Sequence, residues 1–136
     1  MNREDLKNYL DNLEQLQSIE ECIEELEKDI GSITARYSNM PTGSSKTFDK
    51  IGENIAKLEA ERANLINQKI KLMNKRINVQ KALMNMKGIY KEILELRYIK
   101  GYKLVEIAVV KKFSYDYIRQ KHGKALCVFD NINRAD

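Results

Sequence analysis

The chain has 136 residues, 43% hydrophobic and 32% charged, with one Pro, six Gly and two Cys. That composition suits a small helical protein and excludes a disulfide-stapled scaffold, a Pro- or Gly-rich disordered chain and, for want of any apolar run near the ~20 residues a bilayer requires, a membrane-spanning one. The net charge of +4 conceals a polarity: residues 1–30 carry ten Asp or Glu against three Lys or Arg, a balance of −7, whereas residues 87–126 carry ten Lys or Arg against four acids, a balance of +6, so the positive charge gathers at the C-terminal end.

From Leu6 to Tyr37 the apolar residues keep a near-heptad beat. Tyr9, Leu16, Ile23, Ile30 and Tyr37 hold a strict seven-residue row, while a companion row slips from Leu6 and Leu13 to Ile19, Leu26 and Ile33, which is the pattern of a helix that packs its stripe on a partner helix. The predicted first helix covers about residues 2–37. The run Ser38-Asn39-Met40-Pro41-Thr42-Gly43 cannot continue it, so a loop is expected over 38–46. A second long helix follows over about 47–86, with Phe48, Ile51, Ile55, Leu58, Leu65, Leu72, Val79 and Met86 on one stripe and Ile66, Ile70, Met73, Ile77 and Met84 on a neighbouring one. Its polar face is basic through Lys57, Arg62, Lys69, Lys71, Lys75, Arg76 and Lys81, and the first helix is acidic. An antiparallel helical hairpin over residues 1–86 is therefore expected, and the second stripe calls for a further partner, such as a second copy of the chain.

Lys87-Gly88 marks a hinge, after which Ile89, Ile93, Leu94, Leu96 and Tyr98 predict a short helix closing a core over Ile107, Phe113 and Ile118. Residues 102–126 then read as two helices joined by a tight turn. Leu104, Ile107 and Ala108 share one face, and Ile118, ten residues after Ala108, is placed to pack on it. Ser114 has the residue type and position of an N-cap, and Asp116 adds a negative charge to the first turn, where the helix dipole favours one. The expected architecture is thus all-α, a helical hairpin followed by a helix-turn-helix module over residues 87–129, with residues 130–136 as a frayed tail.

With Ile118 and Leu126 turned inward, the second helix of that module presents Tyr115, Asp116, Tyr117, Arg119, Gln120 and Lys124. Arg119 can reach guanine O6 and N7 with its guanidinium fork, Gln120 suits adenine, and Asp116 can accept from cytosine N4. These are the expected base contacts. Lys103, Lys111, Lys112, Tyr115, Tyr117 and Lys124 are the expected backbone or flanking contacts, which position a protein on the duplex without specifying sequence. The same residues would serve equally as a solvated helix face, and one of the two tyrosines could pack beside Phe113. His122 falls near the inner face, where a packed histidine is expected. Cys22 and Cys127 stand far apart without neighbouring ligands, so no disulfide, metal or cofactor is expected. No catalytic group is expected either: Gly43-Ser44-Ser45-Lys46 lacks the first glycine and the strand of a phosphate loop, and the acids of the first helix do not converge.

Tyr102-Lys103-Leu104-Val105-Glu106-Ile107-Ala108, then Ser114-Tyr115-Asp116-Tyr117-Ile118-Arg119-Gln120 and Lys124-Ala125-Leu126, resemble region four of bacterial sigma factors, and Leu94-Glu95-Leu96-Arg97-Tyr98 resembles the first helix of that region. The larger arrangement, including Arg36-Tyr37-Ser38-Asn39-Met40-Pro41 before a long helix, is similar to small phage-encoded sigma-like regulators of the ArpU type. The resemblance implies recognition of a promoter −35 element in double-stranded DNA, with Asp116, Arg119 and Gln120 at base- and backbone-contacting positions and Tyr115 and Lys124 flanking them. It also implies contact with bacterial RNA polymerase. The chain departs from the pattern at Lys111 and Lys121, which replace usually apolar residues, and at Lys112, which stands where the tight turn often has a left-handed glycine. Nothing resembles sigma region two, which opens the −10 element.

Three readings stay open on the sequence: a cytoplasmic sigma-like transcription regulator, an autonomous helix-turn-helix repressor or activator dimerised through the arm, and a coiled-coil adaptor whose C-terminal module binds only protein.

Overall fold

In the computed structural model, which describes residues 3–38 and 45–134, the chain is all-α, with no strand among the described residues. The helices are α1 (Arg3–Lys7), α2 (Tyr9–Tyr37), α3 (Ser45–Met84), α4 (Gly88–Leu94), α5 (Leu104–Lys111) and α6 (Tyr115–Arg134), with a π-helical turn over Glu95–Ile99 directly after α4. Backbone hydrogen bonds from Asn8 N to Glu4 O (2.9 Å) and from Asn12 N to Asn8 O (2.8 Å) carry the i to i−4 ladder across the α1–α2 break, so the expected first helix is interrupted in name more than in bonding. Most of the expected loop, residues 39–44, and the last two residues of the expected tail lie outside the described residues.

One compact unit comprises Met1–Glu14 and Met73–Asp136, the other Gln15–Leu72. In the second unit the strict row is the inward one: Leu16 and Ile23 are buried and Ile30 and Tyr37 half-buried, with the slipping row half-buried beside it. Opposite charges join the two long helices there, Glu20 to Lys69 at 3.6 Å and Glu27 to Arg62 at 3.0 Å. These pairs step seven residues forward along α2 and seven back along α3. Being largely exposed, each is worth at most ~1 kcal/mol and sets register more than stability.

The first unit holds two cores. The larger joins Leu6 and Tyr9 to Val79, Ala82 and Leu83 of the α3 end, Met86 just beyond it, Leu94 of α4, and Ala125, Leu126 and Phe129 of α6. Tyr9 buries its ring, and its hydroxyl accepts from Gln80 Nε2 at 2.8 Å, which satisfies the one polar atom the residue brings inside. The smaller core holds Ile93, Ile107, Ala108 and Ile118, with Ile89, Leu96, Tyr102 and Leu104 against it. Helix α4 separates the two, giving Ile93 to one and Leu94 to the other. Phe113, expected in the smaller core, is 45% exposed instead. It stacks on Tyr117 with ring centroids 4.6 Å apart.

Residues 130–134, expected to fray, continue α6. Phe129 is fully buried one residue before, and Arg3 donates Nε to Asp130 Oδ2 at 2.9 Å in an ion pair that ties the last turn to α1. Three described residues have positive φ, Gly88 at 68° among them. Gly101 has φ of 79°, and a Cβ there would stand 3.1 Å from Leu10 Cδ1. Lys112 has φ of 62° and ψ of 39°, a left-handed residue ending α5, at a cost of about 1 kcal/mol for a residue with a side chain.

Two stability changes follow. Phe129→Ala is expected to cost about 3–5 kcal/mol by emptying the larger core, read as the shift in the denaturant midpoint at unchanged slope. Lys112→Gly is expected to gain up to about 1 kcal/mol in the same titration by relieving the left-handed backbone.

Candidate functional site

Helix α6 and the turn before it carry a row of exposed polar side chains, and the other side of the helix is buried. The turn is short because Lys112 reverses the chain within one residue: Lys112 N donates to Val109 O at 3.3 Å and Phe113 N to Ala108 O at 3.0 Å. Ser114 then caps α6, its hydroxyl accepting from Tyr117 N at 3.2 Å. Ile118 is fully buried against Ile107 and Ala108, which fixes the rotation of α6 about its axis. Four residues on, His122 meets Tyr98 of the π-helical turn. With Ile118, His122, Ala125, Leu126 and Phe129 inward, the opposite side of α6 faces out.

That outer side brings together Tyr115, Asp116, Arg119, Gln120 and Lys124, all exposed. Asp116 and Arg119 lie one turn apart with 3.9 Å between carboxylate and guanidinium, a loose pair that binding can exchange at little cost. Gly123 sits among them with open space where a Cβ would be, so the helix backbone itself is accessible. Along the same side a groove of about 660 Å³ is lined by Tyr90 of α4 and by Arg119, Gln120, Gly123, Lys124, Cys127 and Val128. Lys112 is exposed at the turn. Lys103 is exposed at the N-cap position of α5 and makes no capping bond with its side chain. Tyr117 is only marginally exposed, stacked on Phe113 with the Lys121 ammonium 5.4 Å from its ring centroid.

One expected contact is not part of this set. Lys111 is half-buried and donates Nζ to Glu92 of α4 at 2.9 Å. Its position is usually apolar in the pattern the sequence resembles, and here the lysine stem packs while its charge is neutralised across the small core. Lys121, the other departure, also has a structural use: its ammonium lies 5.7 Å from the Tyr90 ring centroid as well as beside Tyr117. Two features had no signal in the sequence: the Tyr90 wall of the groove and the exposed valines of α5, Val105, Val109 and Val110.

Tyr98 Oη and His122 Nε2 are 2.8 Å apart. Burial lowers the His122 pKa below 6.5, and the positive charges of Arg97, Lys7 and Arg3 push it the same way. Burial also raises the Tyr98 pKa, against the pull of Arg97 and Arg3. Both groups are therefore neutral at pH 7 and share one hydrogen bond, whose direction is set by the tautomer of the ring. Among the described residues no three His, Cys, Asp or Glu side chains converge to hold a metal ion, and no helix is long and apolar enough to cross a membrane. Comparison of the chain with protein-family models, with curated proteins and with solved structures found no match.

Because the folded-state pKa of His122 lies below its unfolded value, protonation favours the unfolded chain. The stability this group contributes is present above about pH 6.5 and falls as pH is lowered from there towards the folded-state value. Thermal unfolding of the native chain and of His122→Gln between pH 7.5 and 5 is expected to show a smaller loss of Tm on acidification in the variant.

Proposed function

We propose that the protein is a DNA-binding transcription regulator in which α5, the turn at Lys112 and α6 act as a helix-turn-helix, with α6 laid on a promoter element of the −35 type. In this reading α2 and α3 are the two limbs of a helical hairpin that serves partner contact, and the chain works in the bacterial cytoplasm as a small sigma-like regulator of the ArpU kind alongside the host RNA polymerase. The observation that carries it is the outer side of α6. Asp116, Arg119, Gln120 and Lys124 stand on one face of a helix whose rotation is fixed by buried Ile118, and Gly123 leaves room for close approach. An exposed glycine inside a helix costs roughly 1 kcal/mol relative to alanine, and a surface that must meet another molecule closely is a physical reason to bear it.

Asp116, Arg119 and Gln120 are assigned to base edges. Lys103, Lys112, Tyr115 and Lys124 are assigned to phosphates, with Tyr117 braced on Phe113 beside them. Lys111, held by Glu92, is left out. The exposed valines of α5 favour a protein partner next to the duplex, since scattered apolar residues are ordinary but Val105, Val109 and Val110 cluster on an eight-residue helix. No cofactor and no catalytic step enter the proposal.

The test is selection of bound sequences from random duplex, with and without core polymerase, followed by anisotropy titrations on the selected site. Binding is expected to fall steeply with salt. Arg119→Ala with Gln120→Ala should lose about 1–3 kcal/mol per contact on the selected site. Lys124→Ala should weaken all sequences alike and reduce the salt slope by about 1. Gly123→Ala should raise thermal stability while weakening DNA binding, a combination that a purely structural glycine would not produce. An asymmetric, polymerase-dependent site supports the sigma-like reading. A palindrome bound without polymerase would replace it with a free-standing dimer, and absence of duplex binding would end both.

A further inference from the structure

Helix α3 leaves part of its apolar surface uncovered. Its inner row, Val79, Ala82 and Leu83, is buried in the larger core, but Met73, Ile77 and Met84 on the neighbouring row are 41, 42 and 73% exposed. Their spacing, four residues and then seven, is the spacing with which a helix meets another helix. The row ends at a groove of about 340 Å³ between the end of α3 and the π-helical turn, lined by Gln80, Leu83, Met84, Glu95, Ile99 and Lys100. Unbranched methionine at two of the three exposed positions suits a surface that adapts to a partner.

The charge beside this surface has one sign. Residues 73–84 contain Lys75, Arg76 and Lys81 and no acid, and Lys100 stands on the far wall of the groove. Among the described residues, Lys81 and Lys100 have no carboxylate within ion-pair distance. Glu95, the carboxylate on the groove wall, is paired with Lys91 at 3.9 Å. A second copy docked on the same row would face these lysines with its own, and like charges across a helix pair oppose association.

We propose that the Met73–Ile77–Met84 row and the groove at Ile99 form a docking surface for an acidic amphipathic helix of another protein. The partner's apolar side chains lie between Ile77 and Met84 and enter the groove beside Ile99, and its carboxylates meet Lys81 and Lys100. This surface shares no residue with the outer side of α6, so the proposal holds or fails separately from DNA binding.

The full chain would be titrated, by anisotropy, into a labelled synthetic helix of three heptads with leucine at the core positions and glutamate at the flanks. A matched helix with lysine flanks is the comparison. The glutamate helix is expected to bind saturably and more weakly as salt rises, and the lysine helix not to bind. Ile77→Asn with Met84→Asn should weaken binding by about tenfold or more while far-UV circular dichroism shows the chain still folded, with a small loss of thermal stability because Ile77 is 42% exposed. Lys81→Glu with Lys100→Glu should reverse the preference between the two helices. Equal binding of both helices, or unchanged binding by the double asparagine variant, would overturn the proposal. So would sedimentation of the native chain as a dimer that Ile77→Asn dissolves, which would make a second copy the occupant. Protection of Lys81 and Lys100 from acetylation by duplex DNA would overturn it in favour of nucleic acid.

Discussion

The interaction on which the C-terminal half depends is the burial of one side of α6 in two cores at once. Ile118 closes the small core with Ile107, Ala108 and Ile93, while Ala125, Leu126 and Phe129 close the larger one with residues of α1, α2, α3 and α4. A helix held at both its beginning and its end cannot rotate about its axis without emptying one of the two. Everything accessible on α6 follows from this, because the residues that face out are those left when five inward positions are taken. Side chains on such an element are positioned with less freedom than side chains on a loop, which suits recognition.

The turn before α6 shows how a local cost is offset by packing. Lys112 occupies a left-handed conformation that a glycine would adopt more readily. The conformation lets the chain reverse within one residue, brings Phe113 N to Ala108 O, and delivers Ser114 to cap the next helix. A lysine at this place leaves a cation at the edge of the exposed face, which glycine would not. On the other side of the small core, Lys111 and Glu92 put an ion pair where an apolar contact would be usual. With Glu92 half exposed, the pair contributes at most ~1 kcal/mol.

Much of the all-helical reading was legible in the sequence because it rests on local pattern: the strict row from Tyr9 to Tyr37, the spacing of Ala108 and Ile118, the capping type of Ser114 and the left-handed place of Lys112. What was not legible depends on contacts between distant residues. The heptad rows look alike before and after Glu14, so nothing in them marks the point where α2 leaves the unit that holds Leu6 and Tyr9. Asp130 reads as part of a polar tail until Arg3 is found beside it. Lys111 reads as a phosphate contact until Glu92 is found 2.9 Å away. Phe113 has the composition of a core residue but follows the left-handed turn, which sends it outward onto Tyr117. The two stripes of α3 were visible, but which of them stays uncovered was decided by the helices that pack on Val79 and Leu83.

The outer side of α6, held by its buried row, is proposed here as the surface that meets duplex DNA. Backbone amide chemical shifts of the full chain, followed as duplex is added, test it residue by residue. The changes are expected to concentrate at Lys112, Ser114 to Gln120, Gly123 and Lys124, with slow hydrogen exchange kept at Ile118 and Phe129 and the shifts reverting as salt is raised. Changes confined to residues 73–84 of α3, or no change at all at stoichiometric duplex, would contradict it.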